Sequence, residues 1–447
     1  MDGLTILMVL HNEIEYAKFS LQSIRLFADV ENLSVVMIDN HLDDKLADWA
    51  KAQEDITYVY MDEGEMPFGK MLNEVCNGLR IKGDLLVMDA YYMLTPHALS
   101  RLQAGIYQDD TIGAAGGLSN SFSLFQKVSG IDNYEAAVRW GDRECSVQEG
   151  KRVLGLNSSI IYLKAAVISQ MGAFDEELFS QESVMKDYCF RMLMNDWKLK
   201  VYKEALFWDV RGNGPYHSDS ALEKAIMEKK WGMHYFNSVC NVGLIDMIDR
   251  NREDSIRVLE IGCDCGATLL EIRNRFPNAI VYGSEINEEA AKVAAHIAHV
   301  QVNNIEEENL SFERGFFDYI IFGDVLEHLH EPLKTIQYCK GFLKKEGCII
   351  ASIPNLMHIS IMEKLLKGDF TYTETGLLDK THIHFFTFNE ILRLFEAGGY
   401  KVENVKTVIY PVSIEQGELI DRLLELQSGA SRFMYETFQY DVYAGAE

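Results

Sequence analysis

Short apolar blocks and amphipathic stretches follow one another along the whole chain in a regular order. Leu4–Leu10, Leu33–Ile38, Ile56–Met61 and Asp84–Met88 are compact β-favouring runs, each long enough for a buried strand. Between them, Glu13–Phe27 carries apolar residues at helical spacing (Ala17, Leu21, Ile24), and Met66–Leu79 reads as a second helix. Pro96 opens a third near its first turn, where proline is tolerated. This alternation predicts a mostly parallel sheet covered on both faces. After Gly116-Gly117 the pattern loosens until Gly155–Ile161. Arg211–Pro215 is a glycine-rich connection, and Ser220–Asp249 reads as helical.

The alternation then resumes. Strands are expected near 257–261, 280–284, 299–303, 318–323 and 347–353, with helices between. Lys401–Tyr410 adds a sixth strand, and Phe438–Ala444, with Phe438, Tyr440, Val442 and Ala444 on one face, a seventh. The expected fold class is α/β, with two doubly wound domains in series. Residues 1–218 form the first, 219–252 a helical connector able to pack on the second, and 253–447 the second. A chain of 447 residues is too long for one core, so two domains of roughly 200 residues are the natural division.

Composition narrows the chemistry. Forty-eight per cent of residues are apolar, and Asp+Glu (68) exceed Lys+Arg (42), for a formal charge of −26. So acidic a surface repels phosphate backbones and anionic lipid, which argues against nucleic acid as a substrate. Eight cysteines are scattered without a CxxC pair or zinc spacing, usage that fits a reducing cytoplasm. The apolar run at Leu4 is too short for a signal-peptide core, and no run reaches the length of a membrane span.

Candidate chemistry is densest in the second half. Val258–Ile261 runs into Gly262-Cys263-Asp264-Cys265-Gly266, which reads as a strand, a glycine turn and a helix start. Glu285 follows about twenty residues on, at the end of the next strand, the place where an acid meets ribose hydroxyls. Gly262 permits the turn, Gly266 a close backbone approach, and the helix from Ala267 offers free N–H groups. Glu260 belongs to the same elbow. Asn304-Ile305-Glu306 follows the third strand, where an adenine edge would lie, and Asp324 ends the fourth. Cys263 and Cys265 read as small fillers beside the cofactor.

The blocks VLEIGCDCG, GSEIN, FDYIIFGDVLEHL, GCIIASIPN and GLLDKTHIHFFT together resemble a class I S-adenosylmethionine-dependent methyltransferase over about 230–445. The last block is similar to members acting on sugars and other small hydroxyl compounds. The resemblance implies S-adenosylmethionine as cofactor, with Glu260, Gly262, Gly266, Glu285, Ile305 and Asp324 around it. The family usually has glycine where Asp264 stands. A sugar hydroxyl is a poor nucleophile, so a general base helps. His328, His382 and His384 are candidates, with Asp324 nearby. In Asp379-x-x-His382-x-His384 a carboxylate would orient an imidazole, and an extended segment would put both histidines on one face. Each of these histidines has a structural reading as well.

The first half resembles a family 2 glycosyltransferase of the GT-A fold over about 3–215. The carriers are Thr5–Glu13, Val35–Asn40, Phe68-Gly69-Lys70 with Asn73, Gly172–Glu176 and Asp187–Arg191. The likeness implies a nucleotide sugar and a glycan acceptor as partners, contacts from Asn12, Asp39 and Asp89, and Mg2+ or Mn2+ on Asp89 and Asp209. Two departures stand out. The family's Asp-x-Asp reads Asp89-Ala90-Tyr91, and Met185 falls where the family has its base, with Glu182 a short shift away. Where the family often has a metal-binding histidine, Asp209 falls, with His217 as a spare. Together the two resemblances imply a bifunctional glycan-modifying enzyme that transfers a sugar and O-methylates a sugar hydroxyl; a first half that binds without turnover, or is a pure scaffold, stays open. Asp39 and Asn40 also read as a strand-end turn, and Asp187 as a partner of Arg191.

Overall fold

The computed structural model describes residues 3–40, 44–61, 66–122, 124–212, 221–233, 236–426 and 429–446. The chain divides into two compact units, Met1–Ser238 and Val239–Glu447. No helix among the described residues is long and apolar enough to cross a membrane.

The front unit is built on nine strands: β1 Leu4–Val9, β2 Leu33–Asp39, β3 Thr57–Tyr60, β4 Asp84–Asp89, β5 Tyr92–Leu94, β6 Ile112–Ser119, β7 Lys151–Val153, β8 Ile160–Leu163 and β9 Lys198–Asp209. The sheet runs β3-β2-β1-β4-β8-β6-β9-β5, with β7 also on β9. Its first four strands are parallel, because helices return the chain each time. Beyond β4 the expected parallel order fails: β8 runs antiparallel to both β4 and β6, and β5 and β7 antiparallel to β9. Gly116-Gly117 lies inside β6 rather than at a break. A side chain on Gly117 would strike the Ala205 carbonyl and the Phe207 ring of β9, so glycine there permits close strand contact. The core gathers Ile6, Met8, Leu86, Met88, Tyr162 and Phe207.

The expected helix over 220–249 is two helices, Ala221–Trp231 and Val242–Ile245. Gly232 adopts φ +67°, a left-handed stop that ends the first. That first helix packs into the front unit, with Trp231 on Phe190 at 4.0 Å and its indole N–H donating to Asp187. Asn241 opens the second by accepting from Leu244 N–H.

In the rear unit the strands are β10 Arg257–Ile261, β11 Ile280–Glu285, β12 His299–Val302, β13 Phe317–Gly323, β14 Leu343–Pro354, β15 Tyr400–Ile409 and β16 Thr437–Ala446. They pair in the order β12-β11-β10-β13-β14-β16-β15, all parallel except β16, which is antiparallel to both neighbours. The order in which strands are added reverses at β10, with β11 and β12 on one side and β13 and β14 on the other, so the carboxyl ends of β10 and β13 form the switch point where such sheets bind ligands.

Candidate functional site

At the end of β10 the chain turns through Gly262 (φ +68°), Asp264 (φ +47°) and Gly266 (φ +85°). Asp264 therefore holds a left-handed conformation in which glycine would be unstrained, the physical reason glycine is usual there. Gly262 N–H donates to Ser284 O and Gly266 N–H to Cys263 O, which closes the turn. Glu285, at the end of β11, accepts the Asp264 N–H on one carboxylate oxygen and the Asn287 N–H on the other, both at 2.8 Å. It shapes the elbow as well as facing it. At Gly266 an added side chain would meet Ala294 at 3.1 Å, so the missing Cβ also serves helix packing. Cys263 and Cys265 are buried, and Cys263 fills the space over Gly283.

Ile305 is buried in the main core with Leu259 and Leu326, and Glu306 accepts from the Glu331 N–H. Asp324 follows β13 with φ +53°. Its N–H donates to Ser352 Oγ, and Ser352 Oγ–H donates back to Asp324 Oδ1 at 3.0 Å. Burial raises the Asp324 carboxyl, and the Ser352 bond opposes the rise.

Sequence reasoning missed three residues here. Gly323, Ser352 and Asp441 are register neighbours across β13, β14 and β16. Asn241 donates its side-chain N–H to Ser352 Oγ, and its backbone N–H to Thr268 Oγ1. The result is a polar floor made by Asn241, Ser352, Asp324 and Asp441. Asp441 was signalled by the period of its own strand: Tyr440, Val442 and Ala444 fill the core, so Asp441 faces the other, also covered, side.

Two carboxylates on this floor have an oxygen with no partner. Glu260 Oε2 and Asp441 Oδ1 are buried and unsatisfied. Burial pushes the Glu260 carboxyl up to about 8, with Asp264 and Glu285 adding to it against Thr268. Burial, helped by Asp324, brings Asp441 to about 6. Leaving such groups unpaired is costly, which makes these two oxygens candidate contact points for the donors of a ligand.

The histidines divide. His328 and His382 stand ring to ring at 4.8 Å, while His384 turns away to the His330 carbonyl. Residues 382–385 form no strand, so the expected shared face does not exist. Asp379 does not hydrogen-bond an imidazole either: its Oδ1 accepts from Thr381, and His382 Nδ1 faces the Leu377 carbonyl instead.

The front unit brings Asp89 and Asp209 into one neighbourhood, because Tyr92 of β5 pairs with Asp209 of β9. Their surroundings are filled. Asp89 bonds His11 at 3.2 Å, and Arg211 bonds both oxygens of Asp209 while lying 3.7 Å over the Tyr91 ring. Asp39 accepts from the Tyr58 hydroxyl. Asn12 is exposed. Glu182 pairs with Lys186 at 2.7 Å, and Met185 is a buried core residue. Asp187 bonds Arg191, Lys230 and Trp231. Asn73 clamps Phe174 and Glu176, so two of the matched blocks fasten to each other. His217 lies outside the described residues.

A family model described as "Methyltransferase domain" matches residues 237–405. Curated relatives include ubiquinone biosynthesis O-methyltransferases from a Shewanella species and from Dinoroseobacter shibae. The first is 26% identical over 146 residues, covering 31% of this chain and 61% of that protein. The second is 27% identical over 190 residues, covering 40% and 74%. Among solved structures, a SAM dependent methyltransferase from Aquifex aeolicus aligns at 16% identity with TM-score 0.30, covering 44% of this chain and 84% of that one. Another from Archaeoglobus fulgidus aligns at 18% with TM-score 0.34, covering 49% and 98%. The matched stretch lies almost wholly within the rear unit.

Proposed function

We propose that the protein is an S-adenosylmethionine-dependent O-methyltransferase whose rear unit performs the transfer. The observation that carries this reading is the pair of partnerless buried carboxylate oxygens, on Glu260 and Asp441, beside a glycine elbow at the sheet's switch point. S-adenosylmethionine brings a sulfonium and an ammonium group, the donors and positive charge such acids lack. Glu285 at the end of β11 would take the ribose, as in other nucleotide-binding α/β sheets. The names of the curated relatives support a hydroxyl as acceptor. Methyl transfer breaks the sulfonium S–CH3 bond, forms O–CH3 and releases the hydroxyl proton. Positioning of the acceptor in line with the methyl supplies much of the rate. His328, which interacts electrostatically with Asp324, and His382 beside it are the candidate bases of this reading.

For the front unit, the favoured reading is a GT-A-like module that binds a saccharide or nucleotide without turning it over. Tyr91 in place of a second acid, buried Met185, and Arg211 across Asp209 all support it. The convergence of Asp89 with Asp209 favours a second reading, sugar transfer with Glu182 as base and Mg2+ or Mn2+ on the two aspartates.

Equilibrium dialysis with labelled S-adenosylmethionine tests the first proposal; well-folded protein that retains no label would sink it. Calorimetry with UDP- and TDP-sugars, with and without manganese, separates the two readings of the front unit. Manganese-dependent binding with sugar release favours transfer, and glycan binding alone favours the module.

A further inference from the structure

We propose that Glu327, His328 and His382 form a binding site for one divalent transition-metal ion of the zinc or manganese kind. One ligand atom from each residue lies within 4.8 Å of the others, and this is the group of three such residues found among the described residues. The ligand atoms of a tetrahedral zinc stand about 3–4 Å apart, so a small rotation of either ring closes the site.

Three further observations point the same way. Glu327 is buried at 1% exposure, and its Oε2 has no hydrogen-bond partner. A buried carboxylate oxygen in that state calls for a cation. His328 Nδ1 faces the Thr381 carbonyl at 3.1 Å, and His382 Nδ1 faces the Leu377 carbonyl at 3.3 Å. A carbonyl only accepts, so both Nδ1 atoms carry the proton and each Nε2 keeps its lone pair. This is the outer arrangement that holds metal-ligating imidazoles in place. Finally, the two segments are fastened together: the backbone N–H groups of Ile383 and His384 both donate to the Glu327 carbonyl, at 2.8 and 3.0 Å.

Two imidazoles and one carboxylate suit zinc, manganese or iron(II) better than magnesium or calcium, which prefer all-oxygen sets. Three protein ligands leave positions open for an exogenous oxygen. If the methyltransferase reading holds, that oxygen is the acceptor hydroxyl. Bound to the metal it loses its proton to water more easily, and the resulting oxyanion takes the methyl from the sulfonium. This role rests on the methyltransferase proposal; the metal site itself does not.

The test uses the full chain, stripped with a chelator and titrated calorimetrically with ZnCl2 and separately with MnCl2. S-adenosylmethionine binding is measured on the same samples. One ion per chain is expected, with affinity reduced about a hundredfold in His328→Ala and His382→Ala. Glu327→Gln, nearly isosteric, serves as the variant that keeps the fold and should weaken binding in the same direction. No ion bound by protein that binds S-adenosylmethionine, or affinity unchanged in folded His328→Ala and His382→Ala, overturns the proposal. Metal bound with no S-adenosylmethionine affinity supports this site and overturns the methyltransferase reading instead.

Discussion

Both units bury acids within an α/β fold, and they treat them differently. In the front unit the acids are already answered: Asp209 by Arg211, Asp39 by Tyr58, Asp187 by Arg191 and Lys230, Glu182 by Lys186. In the rear unit Glu260, Glu327 and Asp441 each keep a buried oxygen unanswered, and among the described residues every carboxylate oxygen in that state lies there. An answered acid is part of the fold. An unanswered one costs free energy and so marks a place to look for a ligand. The same residue type therefore reads as scaffold in one unit and as a candidate site in the other.

Four changes test that contrast. Gly266→Val should have the largest effect, because it places a branched side chain at φ +85° and 3.1 Å from Ala294. We expect a loss of about 2–4 kcal/mol in calorimetric unfolding and no S-adenosylmethionine binding. Arg211→Ala should leave Asp209 Oδ2 buried and unanswered, while Oδ1 keeps the backbone N–H of residue 211, making the front unit resemble the rear. A destabilisation of about 2 kcal/mol is expected by denaturant titration, lower than for a fully buried pair because Arg211 is partly exposed. Glu260→Gln should weaken S-adenosylmethionine about tenfold, since one charge-assisted contact is lost. Its stability near pH 7 should hardly change, because Glu260 is already protonated there. Equal losses of stability and affinity would assign Glu260 to the fold.

The smallest effect concerns protons. The Glu260 carboxyl sits at about 8 in the folded apoprotein against 4.5 for its reference state, and Glu327 is likewise raised to about 8 by burial and Asp324. Between those values the folded chain binds more protons than the unfolded one, so apoprotein stability should fall as pH rises from about 4.5 to about 8. A cationic ligand beside Glu260 lowers its pKa. Binding of S-adenosylmethionine near pH 7 should then release a proton, seen as a binding enthalpy that changes with the ionisation enthalpy of the buffer.

What the sequence made legible follows from what is local. Most strands of the rear sheet leave a compact apolar run and the others an alternation, and each expected position differs from the observed one by a few residues at most. The parallel start of the front sheet was legible for the same reason. Its antiparallel remainder was not: β6 contains two glycines whose purpose is visible only once β9 lies against them. The elbow at Gly262–Gly266 could be read because its spacing is short. The floor beneath it could not, because Asn241, Ser352 and Asp441 meet across about a hundred residues of chain or more, and no period links them. His384 shows the converse error. Equal spacing suggested that it works beside His382, but the segment is not a strand and the two rings diverge.

The Glu327 carbonyl, which receives two successive N–H groups from the 383–384 segment, has a mechanical consequence. It gears the stretch carrying His382 to the short turn that begins at Asp324. Displacing either segment alone would break both hydrogen bonds, so the two are held as one piece.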